Sequence, residues 1–360
     1  VKYKIWILLI LVITAFSNLF LQISRGLKKT FDYALGSFIC SLITITLNVL
    51  CIAFIKMSAV GMLLATFIGN VVCCIYLFFK LEINKYLSLS SVNKKTLLNE
   101  LKYSIPLIPN QLSLWVMNSS DRLIVSFILG TAANGILAVS HKFPAIFMTF
   151  FNIFQLAWHE TGTVHFFDKD RDDFFSKTIE EIMLLFSTLC MCIIIVLPIV
   201  FNLFVNSSYN EAYYNIPIYL IASLLNVMVG LLGVVYVATK KTFEIAKTTI
   251  IAALINIIVN IILIKYIGLY AASISTFMGY FITMIYRIID TKKYLNIKYS
   301  LYKYVKIIVG ILFSTIIYYI NNKLISIITL PFFICIALWV NKDYIVLIKK
   351  LIKGKIKLNE

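Results

Sequence analysis

The sequence predicts an all-α, polytopic membrane bundle of about eleven transmembrane helices, and three observations carry that prediction. First, 61% of the 360 residues are hydrophobic and 14% are charged, against about 45–50% and about 25% in soluble domains. Second, mean hydropathy is +0.93, more apolar surface than a soluble core can hide, so lipid is the main solvent. Third, most of the 33 Lys and Arg residues fall between apolar runs rather than on one polar face. The net charge of +17 therefore reports membrane topology rather than nucleic-acid binding.

Each apolar run approaches the ~20 residues a helix needs to cross the hydrocarbon core. The spans read Trp6–Ile23, Tyr33–Ile55 and Ala59–Phe79, then a polar loop Lys80–Lys102. Ser104–Leu129 and Ala133–Trp158 follow, then a charged loop His159–Lys177. The sixth to ninth are Ile182–Val205, Ile216–Ala238, Thr248–Ile264 and Ile267–Tyr286. Tyr304–Ile320 and Leu324–Val340 complete the set, before a Lys-rich tail. Most Lys and Arg sit on alternate loops, among them Arg25, Lys28, Lys29, Lys240, Lys241 and Arg287. The positive-inside rule places those loops and the C-terminus in the cytoplasm, and Val1 outside. The seven cysteines all lie in apolar runs and read as small hydrophobes. His141, His159 and His165 make no metal-binding spacing. The chain enters a full-length span at once, without a signal-peptide pattern.

An internal repeat organises the spans. Lys28-Lys29-Thr30-Phe31-Asp32-Tyr33-Ala34 matches Lys240-Lys241-Thr242-Phe243-Glu244-Ile245-Ala246, and at the same offset Asn48 falls on Asn260. After a short gap, Thr66-Phe67-Ile68-Gly69 matches Thr276-Phe277-Met278-Gly279. The first three spans thus resemble the seventh to ninth. A six-helix unit keeps both copies in one orientation, a parallel repeat of the kind found in transporters. The expected architecture is a two-lobe, parallel-repeat transporter with an incomplete first lobe. Residues 1–90 are its back half, 91–295 the complete lobe, and 296–360 two extra helices with a basic tail. Three front helices are expected to precede Val1.

The fourth and fifth spans carry the polar groups. Ionisable residues at membrane depth cost about 2.5–3.5 kcal/mol each on insertion scales and are usually functional or paired. Gln111, Trp115, Asn118 and Arg122 share one helix face, flanked by Asp121. His141, Asn152, Gln155 and His159 share a face of the next span, with Lys142 beside it. Two polar stripes on adjacent helices suggest a water-filled cavity, where Arg122, Lys142 and His141 would attract an anion such as a diphosphate. The plainer alternatives are an interfacial Asp121–Arg122 pair and interhelical hydrogen bonds for Asn118, Asn152 and Gln155. Pro106, Pro109 and Pro144 allow bending. Arg25 reads as a topology anchor or as part of a cytoplasmic entrance. No catalytic or nucleotide-binding motif is present, so the chain reads as a transporter, and an ion gradient is the natural energy source.

The stretch Pro106-Leu107-Ile108-Pro109-Asn110-Gln111, with Asn118-Ser119-Ser120-Asp121-Arg122, Leu129-Gly130, Ala133-Asn134-Gly135, Ala138-Val139, Lys142 and Pro144, resembles a known family. It is that of the polysaccharide exporters of the multidrug/oligosaccharidyl-lipid/polysaccharide superfamily, and within it the Wzx-type O-antigen flippases. Gln22-x-x-Arg25-Gly26 is similar to theirs as well. The resemblance implies transfer of undecaprenyl-diphosphate-linked oligosaccharide, of O-antigen or capsule, from the cytoplasmic to the periplasmic leaflet of a bacterial inner membrane. It implies alternating access of two six-helix lobes around a cationic cavity, proton or sodium coupling, and O-antigen polymerase and chain-length machinery as partners.

Three rivals remain. A Wzy-type O-antigen polymerase would carry a large periplasmic loop with arginines, whereas the longest outside loop, Asn206–Asn215, has no Lys or Arg. A drug exporter of the same superfamily and an inactive, truncated flippase remnant are the others.

Overall fold

The computed structural model describes residues 4–57, 59–86, 93–105 and 107–342, with every side chain in those ranges except that of Asn118. Among the described residues there is no strand. The helices are α1 (Lys4–Gly26), α2 (Thr30–Val49, extended by a π-helical turn Leu50–Phe54), α3 (Ala59–Lys80), α4 (Lys94–Ser104) and α5 (Leu107–Ile128). They continue as α6 (Thr131–Ser140), α7 (Lys142–His165), α8 (Arg171–Phe204), α9 (Ala212–Ala238) and α10 (Thr242–Ile267). The last are α11 (Tyr270–Thr291), α12 (Leu301–Ile320) and α13 (Lys323–Val340).

Nine of these helices are long and apolar enough to cross a membrane, and α6 with α7, bent by 42°, makes a tenth. The eleventh expected span is α5. It has 22 residues, but Asn110, Gln111, Ser113, Asp121 and Arg122 keep it below the apolar level of the others. The sequence boundaries err mainly where helices outlast the membrane. With 34 residues, α8 is about 50 Å long at 1.5 Å per residue, well beyond a ~30 Å hydrocarbon core. The supposed loop His159–Lys177 therefore shrinks to the few residues between His165 and Arg171. The polar loop after α3 likewise contains α4.

The chain divides into two compact units, residues 1–97 and 98–360. In the first, α3 packs against both α1 and α2. In the second, α9 is the central helix, packed on α7, α8, α10 and α11. Its core joins Phe147, Phe151 and Trp158 of α7 with Phe175 and Phe186 of α8 and a row of apolar residues on α9. Trp158 Nε1 donates to Leu231 O at 3.1 Å. The α12–α13 pair docks on α8. Lys298 pairs with Asp173 at 3.2 Å, and Lys303 pairs with Glu180. Near the far end of α12, Tyr213 and Tyr318 stack at 4.1 Å, and each hydroxyl donates to the other residue's carbonyl.

The repeat is visible inside each unit. Lys28 and Lys240 adopt left-handed φ of 59° and 56°, a region lysine seldom visits. Each closes a helix in the same way. Lys29 N donates to Ser24 O and Lys28 N to Arg25 O, as Lys241 N donates to Tyr236 O and Lys240 N to Val237 O. This is a Schellman motif, built twice. The matched glycines make the same helix contact. A Cβ on Gly69 would lie 3.0 Å from Cys40 O, and one on Gly279 would lie 3.1 Å from Ala252 O. Small residues let membrane helices approach this closely.

Gly69→Val and Gly279→Val are each expected to cost about 1–3 kcal/mol by overpacking. Gly26→Ala, with nothing within 4 Å of its added carbon, is expected to be neutral. Melting temperatures in detergent check this, and equal values for all three variants would remove the close-approach explanation.

Candidate functional site

Residues on α5 divide between two sides of the helix. Asn110, Ser113, Met117, Ser120, Asp121 and Val125 are buried, on the side that packs against α10. Gln111, Trp115 and Arg122 are exposed. These three residues of the expected stripe share the exposed side of the helix; the Asn118 side chain lies outside the described residues, as does Pro106.

Asp121 is 1% exposed, and its carboxylate does not pair with Arg122. It accepts from Asn260 Nδ2 at 2.8 Å, Thr276 Oγ1 at 2.7 Å and Ser275 Oγ at 3.4 Å. The interfacial Asp121–Arg122 pair is therefore replaced by a buried network, because neighbouring residues on a helix point about 100° apart. The network continues: Ser120 Oγ donates to Asn256 Oδ1 at 2.9 Å. Asn256 Nδ2 donates to Ser275 Oγ at 3.3 Å and to Thr276 Oγ1 at 3.2 Å. Asn260 Oδ1 is buried without a partner among the described residues.

The donor set suits one kind of ion. A carboxylate, two amide carbonyl oxygens and two hydroxyls are hard oxygen ligands, and hard cations prefer them. Among the described residues no three His, Cys, Asp or Glu side chains cluster, which leaves a single formal negative charge here. A small monovalent cation or a proton matches that charge. Asn256 and Asn260 both present Nδ2 to this cluster, so for either to ligate a cation its amide would turn to bring Oδ1 inward.

Arg122 and Lys142 are both exposed, and neither forms an ion pair among the described residues. His141 sits at the break between α6 and α7. Pro144, in the first turn of α7, has no N–H to donate where the helix offers no acceptor for one, and so favours a helix start there. The imidazole lies against Tyr219 of α9, the ring centroids 4.2 Å apart and the planes tilted by 42°. Asn152 is exposed and Gln155 half-buried. Gln155 packs over Gly230, where a Cβ would lie 2.9 Å from its Nε2. Arg25 lies at the end of α1, in the first unit. Its Nη1 donates to Gln22 Oε1 at 3.3 Å, and its guanidinium lies 5.7 Å from the Tyr33 ring.

Sequence reading missed most of the carboxylate's partners. Asn260 and Thr276 stood in the repeat motif, but only as markers. Asn256, Ser275 and Ser120 are ordinary small polar residues, and only helix packing brings them together.

A second buried cluster was also missed. Arg287, assigned above to a cytoplasmic loop, lies on α11 and is 5% exposed. The helix runs on to Thr291. The guanidinium donates to Val229 O at 2.7 Å and twice to Thr248 Oγ1. Tyr236 donates to Asp290 at 2.9 Å, and Lys293 donates to the same carboxylate at 2.5 Å. That last bond holds the Lys293 ammonium above its usual range. The first unit has Gly36 against Leu77 at the matching positions, so the two copies have diverged here.

No family model matches this sequence, and no curated protein matches it significantly. Solved structures do match. A MATE crystal structure in the bent conformation aligns with TM-score 0.67 at 16% identity, over 87% of this chain and 70% of that one. The lipid II flippase MurJ, in an inward closed conformation, aligns with TM-score 0.64 at 16% identity, over 92% and 72%. The chain has the fold of these transporters. A MOP-superfamily transporter from Pyrococcus furiosus, whose reverse polarity of binding pocket suggests a different function, aligns with TM-score 0.66 at 15% identity, over 78% and 66%. This chain is thus a multi-pass membrane protein with the MATE and MurJ fold.

Asp121→Leu is expected to orphan Asn260 Nδ2 and the Thr276 hydroxyl, at about 1–3 kcal/mol for each buried group. Asp121→Asn keeps the shape and is expected to cost far less. Thermal unfolding of both variants in detergent checks the difference, and equal destabilisation would argue against the network as drawn.

Proposed function

We propose that this chain is a cation-coupled flippase for undecaprenyl-diphosphate-linked oligosaccharide, of O-antigen or capsule. It would carry repeat units from the cytoplasmic to the periplasmic leaflet of a bacterial inner membrane by alternating access. The observation that carries this reading is the two-sidedness of α5. Asp121 turns inward to hydroxyl and amide groups of α10 and α11, while the next residue, Arg122, stands exposed and able to hold a diphosphate. A change at the carboxylate would move the same helix turn that carries the arginine.

Lys142 would add a second cation for the diphosphate, with His141 beside it. Gln111, Asn118, Asn152 and Gln155 would contact sugar. Arg25 would serve the cytoplasmic entrance. Residues 1–90 belong to one lobe, 91–295 to the other, and 296–360 to the additional helices and tail, with the C-terminus cytoplasmic. The polymerase and chain-length machinery would receive the product. The MurJ match supports a lipid-linked substrate, and the MATE matches favour a multidrug exporter as the second reading.

Deletion of the gene is expected to accumulate lipid-linked repeat units on the cytoplasmic leaflet. Arg122→Ala and Lys142→Ala are expected to lower surface polysaccharide without lowering protein level. Each removes one charge-assisted contact, at about 1.5–3 kcal/mol, or roughly ten- to a hundredfold in affinity. Normal surface polysaccharide in the deletion strain, combined with drug sensitivity, would favour the exporter instead.

A further inference from the structure

We propose that the cavity at the N-terminal end of α9 is the mouth of a water-filled path by which a small monovalent cation reaches Asp121. The proposal rests on Asp121 being the coupling site. The cavity holds about 220 Å³ and is lined by Glu211, Tyr214, Asn215, Ile267, Leu269 and Tyr270. On the topology proposed above, it opens toward the periplasm.

Two polar stripes run inward from it. On α9, Asn215 lines the cavity and Tyr219 follows one turn deeper. On α11, Ser273, Thr276 and Tyr280 lie on one face. The stripes are joined at the top, where Ser273 Oγ donates to Asn215 Oδ1 at 2.9 Å. They end at Asp121, which Thr276 hydrogen-bonds.

Between mouth and carboxylate the protein leaves polar atoms unsatisfied. Tyr219 is 2% exposed, yet its hydroxyl has no partner among the described residues, and neither has His141 Nε2 or Asn260 Oδ1. All three belong to the corner where α5, α6, α9, α10 and α11 meet around Tyr219. Buried polar atoms are normally paired, and orphans mark sites of water or ions. A polar site offering several partners holds water, whereas an apolar void stays dry. Tyr219 packs among Val125, Leu137, Ile264 and Ala272, so water here would be confined to a thread along the two stripes. Exposed Glu211 at the mouth raises the local cation concentration. The titratable groups nearest the carboxylate are Tyr219 on α9 and Tyr280 on α11; Arg122, on the exposed side of α5, acts electrostatically on Tyr219 and on His141, and α10 presents the neutral Asn256 and Asn260.

The test measures how fast the purified full chain binds its ion, in two arms. Radioactive sodium binding at alkaline pH reads sodium. Proton uptake after a pH jump in sodium-free buffer reads protons. Glu211→Cys and Asn215→Cys are each treated with a cationic methanethiosulfonate reagent, with treated wild type controlling for the exposed native Cys335. Both cysteines are expected to react, and the added bulk and charge to slow binding about tenfold with equilibrium occupancy unchanged. Tyr219→Phe, lacking one hydroxyl, is expected to slow binding as well. Glu211 is exposed, so that variant keeps the test informative if Asn215→Cys does not fold. Cysteines that fail to react, or that react with no change in rate while Asp121→Asn abolishes occupancy, overturn the path alone. Full occupancy in Asp121→Asn, or a wild type that binds neither ion, overturns the coupling site together with the path.

Discussion

A carboxylate inside a helix bundle at membrane depth must be satisfied by its protein neighbours, since lipid offers it nothing. Asp121 meets that constraint by collecting hydroxyl and amide donors from α10 and α11. The arrangement of the second unit follows from this. The three helices must stay in register, Asn256 must bridge Ser120 to the α11 hydroxyls, and Arg122 is left facing out. With the carboxylate turned inward, the exposed arginine forms no ion pair among the described residues.

The same constraint accounts for the divergence within the repeat. The two copies share their helix closures at Lys28 and Lys240 and their glycine contacts at Gly69 and Gly279. Backbone geometry of this kind depends on chain direction and close approach, and it survives changes in side chains. Where the first unit packs Leu77 on Gly36, the second places Arg287 on Thr248. Arg287 is feasible there because Thr248 and the Val229 carbonyl accept its protons, and because Gly233 leaves room for the guanidinium. It ties α9, α10 and α11 together at the end of the helices away from the Asp121 cluster.

The extra helices α12 and α13 follow a different rule. Their attachment is polar at both ends, with ion pairs to Asp173 and Glu180 of α8 at one and Tyr318 stacked on Tyr213 of α9 at the other. Between the ends, apolar contacts suffice. Membrane helices gain little from apolar burial alone, since lipid is as apolar as a neighbouring helix. Placing the polar contacts at the ends sets the register of a pair that lies outside the repeat.

Composition and span length alone determined the helical membrane class, and matching loops disclosed the repeat, because both depend on local residue content. Helical periodicity also grouped Gln111, Trp115 and Arg122 on one side of α5, whereas it could not show that the chain bends at His141, between α6 and α7. What Asp121 does with its charge was not legible. Asn256, Asn260, Ser275 and Thr276 are more than 130 residues away in the chain, and nothing in their spacing points to a carboxylate. Arg287 was read as a loop residue because hydropathy falls at the helix end, whereas hydrogen bonding to Thr248 and Val229 carries the helix past it. A sequence specifies which groups must be satisfied at membrane depth, and tertiary packing alone decides which neighbours satisfy them.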